Sequence, residues 1–430
     1  MSIKLKNKFK GCLYLLSFFS SLGVHAETLH SVYESSLNYD AQYLQAKADY
    51  LSAKESKLSA WSSFFPQIGA SGNLLNNYQN DSANDFSVNA NQVIFNVAAM
   101  RQVAVANLQV KEAVTFLSSA QMSLMNRVSA GYFELVKANE LLKVMQQQLK
   151  SIDEQLKAVK ERYNVGHATI TDLDRVKATY DLYRSEMLSE KIKLVTAKQK
   201  LSELCGYEVR SIPTLKFAFK AVKPTPMSIN VWHKKASTQN FSLLAASQSV
   251  AVARELISVR RGGYFPSLSL TTSYYPEKLT NIDKHLIYGV DISFNAFRGG
   301  YTMAEVGKAR AQYQKVLARR DQLYRTVLAE TNSAYQGMLD GVSQVMAERT
   351  AVESNQSALR HTQQGYLSGT QTILDVLDQQ NQLFSAERTY VEGRIAYLNN
   401  IIKLERAAGT LSPIVLRGIQ GWFASSRVKR

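Results

Sequence analysis

The sequence predicts a mainly α protein with a small β part, in which one unit of long antiparallel helices and paired strands occurs twice. Three observations predict it. Only seven prolines are present, and none lies between residues 97 and 212 or between 277 and 412. Those stretches are rich in Ala, Leu, Gln, Lys and Glu, and since Pro breaks helix interiors they read as helix. The chain also repeats itself: Phe65-Pro66-Gln67-Ile68 returns as Phe265-Pro266-Ser267-Leu268, and Ile94-Phe95-Asn96 returns loosely as Ser293-Phe294-Asn295. A third match pairs Tyr163, Gly166, Thr169, Ile170 and Asp172 with Tyr366, Gly369, Thr372, Ile373 and Asp375. Three collinear matches at a spacing of about 200 mark a duplication. Finally, the residues after each Phe-Pro pair alternate apolar and small polar, the period of a strand.

Taken in order, residues 1–26 read as a secretory signal peptide. Lys4, Lys6, Lys8 and Lys10 precede a short apolar run, and Val24-His25-Ala26 resembles a small-x-small cleavage site. Residues 27–225 form the first repeat: helix 31–63, strands 66–78 and 86–96, long helix 97–162 and helix 172–204. Residues 226–412 form the second: helix 234–263, strands 266–275 and 286–295, long helix 299–364 and helix 375–408. Polar hairpin loops are expected at 79–85 and 276–284, and residues 413–430 are expected to be a C-terminal tail with a mobile basic end at Arg427-Val428-Lys429-Arg430.

Composition excludes several classes. At 45% apolar and 20% charged residues the chain is not disordered. Past the N-terminus no apolar run approaches the roughly 18 residues of a spanning helix, which excludes a polytopic helical membrane protein. Once the signal peptide with Cys12 is removed, Cys205 is the single thiol, so neither a disulfide scaffold nor a Cys-rich zinc site is expected; Cys205 is expected to pack rather than react. The net charge of +16 is spread along the chain, which points to solvated helix faces and not to nucleic acid. The six histidines form no ligand motif, and no G-x-S-x-G or P-loop is present. No catalytic residue, metal or cofactor is expected.

The strands carry the next inference. Ile68, Ala70, Gly72, Leu74 and Tyr78 fall on one face, against Gln67, Gly69, Ser71, Asn73 and Asn77. Phe86, Val88 and Ala90 oppose Ser87, Asn89 and Asn91, and the second repeat does the same with Leu268, Leu270, Thr272 and Tyr274, then Tyr288, Val290, Ile292 and Phe294. Strands of this length and pattern suit a transmembrane barrel wall, and equally an ordinary sandwich. Four strands cannot close a barrel in lipid, where an open edge leaves backbone groups unpaired. If they span a membrane, several chains share one barrel: two copies give eight strands and three give twelve. Each long helix is about 100 Å at 1.5 Å per residue, and the shorter ones are near half that. Two short helices end to end match one long helix, which fits a tube wall or a solid bundle. Leu135, Leu142, Leu149, Ile152, Leu156 and Val159 recur at the three- and four-residue steps of coiled-coil packing.

Each long helix ends at a glycine, Gly166 or Gly369, suited to the left-handed residue that stops a helix. Thr169-x-x-Asp172 and Thr372-x-x-Asp375 then open the next helix at capping-box spacing. Asp378 lies on the same face as Asp375 and serves no cap. The segment 366–378, with its earlier copy at 163–174, resembles the helix-tip signature of TolC-type outer membrane efflux proteins, and the likeness extends over the mature chain to Ala407-Ala408-Gly409-Thr410-Leu411. That resemblance implies a homotrimer in which twelve strands form an outer membrane barrel continuing into a helical periplasmic tunnel. It implies docking of a periplasmic adaptor and an inner-membrane pump or ABC transporter at the tips, and export without chemistry. Asp375 and Asp378 match the aspartates ringing the closed entrance, where six carboxylates would raise one another's pKa, select cations and bind multivalent blockers. Asp172 and Tyr366 match a hydrogen-bonding pair that holds the entrance shut. The best-known family member has an arginine where this sequence has Gln371, so a less tightly latched entrance is expected. The rival from another class is a secreted helical scaffold or adhesin whose strands form a soluble sheet.

Overall fold

The computed structural model describes residues 28–76, 82–210, 213–216, 219–275 and 286–424; for 73–76 and 82–85 only the backbone is described. The expected signal peptide, most of both hairpin loops and the basic end of the tail lie outside these residues. Two helices dominate. α3 (Val97–Asn164) has 68 residues and α7 (Tyr301–Leu367) has 67, each about 100 Å long. Along α3 pack α2 (Ala41–Ser62) and α4 (Ile170–Cys205), and along α7 pack α6 (Phe241–Arg261) and α8 (Ile373–Ala407). The coiled-coil stripe faces inward as expected: Leu135, Ile152 and Val159 are buried and Leu142, Leu149 and Leu156 half-buried.

Two expected helices are each broken in two. The stretch 31–63 divides into α1 (Leu29–Ser36) and α2, and 234–263 divides into α5 (Ile229–Gln239) and α6. The same device breaks both. Asp40 and Asn240 take extended backbone conformations, with ψ of 116° in each case, and cap the helix that follows. Asp40 Oδ1 accepts from the Tyr43 N–H at 2.8 Å, and Arg127 donates to the same oxygen at 2.6 Å. Asn240 Oδ1 accepts from the Leu243 N–H at 3.0 Å, while its Nδ2 donates to the Ala407 carbonyl at 3.0 Å. A short Asx side chain competes with the helical backbone for its own donors, and partners on α3 and α8 fix the outcome.

The first part of the expected tail is built into the fold. Residues from 413 form α9 (Pro413–Gln420), and β6 (Phe423–Ala424) pairs antiparallel with β3 (Thr214–Leu215). Leu416, Ile419 and Phe423 are buried. Phe423 meets Tyr132 edge-on at 5.6 Å, and Trp422 meets Tyr397 at 6.1 Å. Tyr397 clamps the crossing segment: its hydroxyl donates to the Val222 carbonyl and accepts from the Val222 N–H, both at 2.7 Å. The chain end thus belongs to the largest apolar cluster, halfway along the long helices.

The four long strands make one antiparallel sheet in the order β1 (Gln67–Asn76), β2 (Ser82–Phe95), β4 (Ser267–Tyr274), β5 (Leu286–Ser293). The register keeps the faces separate: Ile68 opposes Ala90, Ala90 opposes Thr272, and Thr272 opposes Tyr288. On the other face the Ser71 and Ser87 hydroxyls lie 3.0 Å apart and Asn89 donates to Ser87 at 3.1 Å. The apolar face is open, with Ile68, Tyr288 and Ile292 at 74%, 77% and 72% exposure. Among the described residues each outer strand, β1 and β5, has one unpaired edge. No helix among the described residues is long and apolar enough to cross a membrane.

Candidate functional site

At the end of the long helices farthest from the sheet, two helical hairpins turn by the same geometry. Gly166 has φ of 76° and Gly369 φ of 79°, the left-handed region that costs an L side chain steric strain. Around them the last carbonyls are satisfied in pairs. The His167 N–H donates to the Arg162 carbonyl at 2.7 Å and the Gly166 N–H to Tyr163 at 3.0 Å; Thr370 donates to Gly365 at 2.9 Å and Gly369 to Tyr366 at 3.2 Å. Both are complete Schellman motifs. Both following helices open with complete capping boxes. Thr169 Oγ1 accepts from the Asp172 N–H at 3.1 Å, while the Thr169 N–H and hydroxyl donate to Asp172 Oδ2 at 3.1 and 2.8 Å. The same three bonds join Thr372 and Asp375 at 3.2, 2.8 and 2.7 Å.

The caps set the electrostatics. The Thr372 backbone N–H, followed by its hydroxyl, holds the Asp375 carboxyl below the usual carboxylate value. Within one chain this opposes the upward shift expected of crowded carboxylates. Asp378 is exposed, one turn further along α8 on the Asp375 side, and among the described residues it has no ion-pair or hydrogen-bond partner. The structure therefore aligns the two carboxylates, one held by its cap and one free.

Asp172 and Tyr366 share no hydrogen bond within a chain. Asp172 turns to Thr169, and the Tyr366 ring lies under the Arg162 guanidinium at 4.8 Å. Arg162 belongs to α3 and Tyr366 to α7, so this cation–π contact joins the two hairpins at their tips, contributing about 0.5–1 kcal/mol. Gln371 folds its stem over Gly365, where a Cβ would sit 2.6 Å from Gln371 Cγ.

Deeper in, Met145, Ile152, Val159, Val176, Ile373 and Leu377 form an apolar cluster between the hairpins. A polar layer crosses it. Gln380 Nε2 donates to Ser151 Oγ at 2.8 Å, Gln148 Nε2 donates to the Gln380 carbonyl at 3.5 Å, and the Tyr183 hydroxyl donates to Asn381 Oδ1. Sequence reading missed Arg162 and this layer. A signal existed: buried residues on α8 step 373, 377, 380, 383, and Gln380 occupies a place in that series otherwise held by Ile or Leu. Cys205 is buried, its thiol donating to the Tyr207 carbonyl at 3.3 Å. No group of three His, Cys, Asp or Glu side chains suited to a metal occurs among the described residues.

Comparison with known proteins gives concordant results. A family model described as outer membrane efflux protein matches twice, over residues 32–207 and 232–410. Outer membrane protein TolC of Escherichia coli (strain K12) is 30% identical over 426 residues, covering 92% of this chain and 85% of that protein. The proteases secretion protein PrtF of Dickeya chrysanthemi is 24% identical over 314 residues, covering 71% and 68%. Among solved structures, the Campylobacter jejuni CmeC outer membrane channel superposes with a TM-score of 0.78 at 17% identity, covering 92% of this chain and 89% of that one.

Proposed function

Since the chain belongs to the outer membrane efflux protein family, we propose that three copies assemble into an outer membrane exit duct serving an efflux pump or type I secretion. The sheet carries this reading. Four strands with two unpaired edges and a bare apolar face are stable in lipid only when other copies complete the wall. Three copies give twelve strands, and their small polar faces then line the lumen. The helices agree: α2 buries only Ala46 and leaves Leu44, Leu51, Leu58 and Trp61 exposed, a face for the α7 of a neighbouring copy. A soluble scaffold or adhesin is not supported, because none of the described residues covers Ile68, Tyr288 or Ile292.

In this reading residues 27–225 and 226–412 are the two repeats, and the helix tips are the periplasmic entrance. Three copies of Asp375 and Asp378 set six carboxylates around one axis, where their summed field favours cations and binds multivalent ones. Asp172, Tyr366 and Gln371 supply hydrogen bonds between the hairpins of neighbouring copies, with Thr169, Thr372, Gly166 and Gly369 fixing the turns that carry them. The partners are a periplasmic adaptor and an inner-membrane pump or ABC transporter. The names of the relatives describe export and secretion, and transport needs no chemistry from this chain. Purified protein in planar bilayers tests the reading: trimers resistant to detergent and a steady conductance are expected. Stable monomers that conduct nothing would overturn it.

A further inference from the structure

The polar layer between the hairpins has a cost that packing does not explain. Gln380 is 1% exposed and Gln148 6%, both inside the apolar cluster of the tips. Gln380 Oε1 is buried without a hydrogen-bond partner. An unsatisfied buried amide oxygen is unfavourable, and a leucine at this step of the coil would pack without it. What polar groups supply inside a coiled coil is register: an apolar seam slides with little resistance, whereas a directional bond holds one height. Among the described residues, three hydrogen bonds run from the first hairpin to α8, and all three meet at Gln380 or its neighbour Asn381. Asp375 is five residues before Gln380 on the same helix and Asp378 two, about 8 Å and 3 Å along the axis. The height of Gln380 on α3 therefore sets the height of both carboxylates.

We propose that Gln380 is a positioning residue of the entrance: held by Ser151 and Gln148, with Asn381 held by Tyr183, it fixes the register of α8 so that Asp375 and Asp378 converge at the axis. This rests on the channel reading above. Opening the entrance then requires these buried bonds to exchange or break, in addition to contacts at the exposed tips.

Gln380→Leu tests the idea, because it removes the side-chain bond to Ser151 while filling the coil and leaves only the Gln148 bond to the backbone carbonyl and the Tyr183–Asn381 bond. In reconstituted trimers it should raise resting conductance several-fold and weaken block by hexaamminecobalt several-fold, with the thermal midpoint of the trimer unchanged or higher. A residue that merely supported the fold would lower that midpoint and leave block in place. The exchanged pair Ser151→Gln with Gln380→Ser restores an amide–hydroxyl bond across the seam and should return both readings toward the parent. Parent-like conductance and block in Gln380→Leu would overturn the proposal, as would failure of the exchanged pair to restore them. If the unaltered protein conducts nothing, the channel reading itself fails, an outcome distinct from either.

Discussion

The two helix tips are built on one backbone plan and carry different charges. Each has a complete Schellman turn at a left-handed glycine and a complete threonine–aspartate capping box. The difference begins one turn later. Asp375 is followed at three residues by Asp378, whereas Asp172 is followed at the same interval by Arg175, with Lys177 beyond. Duplication thus kept the turn, which is a steric and hydrogen-bonding requirement, and let the solvent-facing side chains diverge. The first tip sets Arg175 and Lys177 beside Asp172 and Asp174, whereas no Lys or Arg lies between 362 and 387 beside Asp375 and Asp378. In the proposed trimer the acidic ring would belong to one repeat, with the near-neutral surface of the other beside it.

Breaking the acidic pair should have the largest effect. Asp375→Asn with Asp378→Asn removes all six carboxylates from the assembled entrance, and the concentration of hexaamminecobalt giving half-block should rise by roughly 100-fold, from the loss of several close charge interactions. Arg175→Asp gives the first tip the same spacing and should tighten block; single-channel recording reads both. Next come the turns. Gly369→Ala and Gly166→Ala each force a Cβ into left-handed geometry, costing about 1–2 kcal/mol, visible as faster amide exchange confined to the altered tip. The equality of the two losses is the point: unequal losses would show that the backbone plan, too, has diverged.

Smaller effects separate the tips further. Gln371→Arg should lower resting conductance several-fold by adding a charge-assisted bond, of roughly twice the strength of a neutral one. Equal conductance would remove the idea of a looser latch. The smallest shift concerns pH. Asp375 is held below its ordinary value by Thr372, so its capping contribution is fully present above the unfolded carboxylate value of about 3.9 and is lost as pH falls through the lower folded value. Thr372→Ala removes the two hydroxyl bonds and keeps the backbone one, costs about 1 kcal/mol of cap, and should raise slightly the pH at which cation block fades. Thr169→Ala should leave that pH in place, which titrating block against pH would show.

Much of this was legible in the sequence because it rests on local rules. Proline-free runs gave the long helices, period-two alternation the strands, and Gly, Thr and Asp at fixed offsets the tips. What stayed hidden depends on partners far along the chain. Asp40 and Asn240 interrupt helices whose apolar pattern runs straight through them, and it is Arg127 and the Ala407 carbonyl that hold them. The packing of the tail from 413 was not legible because its strand is two residues long and pairs with Thr214–Leu215, some 200 positions earlier. The Arg162–Tyr366 contact joins helices from different repeats, and periodicity within one helix says nothing of what its neighbour presents.

The bare sheet has a consequence for how such a protein is made. A single copy folded in this way before insertion would meet water with Ile68, Tyr288, Val290 and Ile292 uncovered. Two raw strand edges accompany them, each a template for indiscriminate pairing. Maturation is then a race between ordered self-association and aggregation, both steepening with subunit supply. An escort that shields the strands in transit is therefore expected to raise the yield.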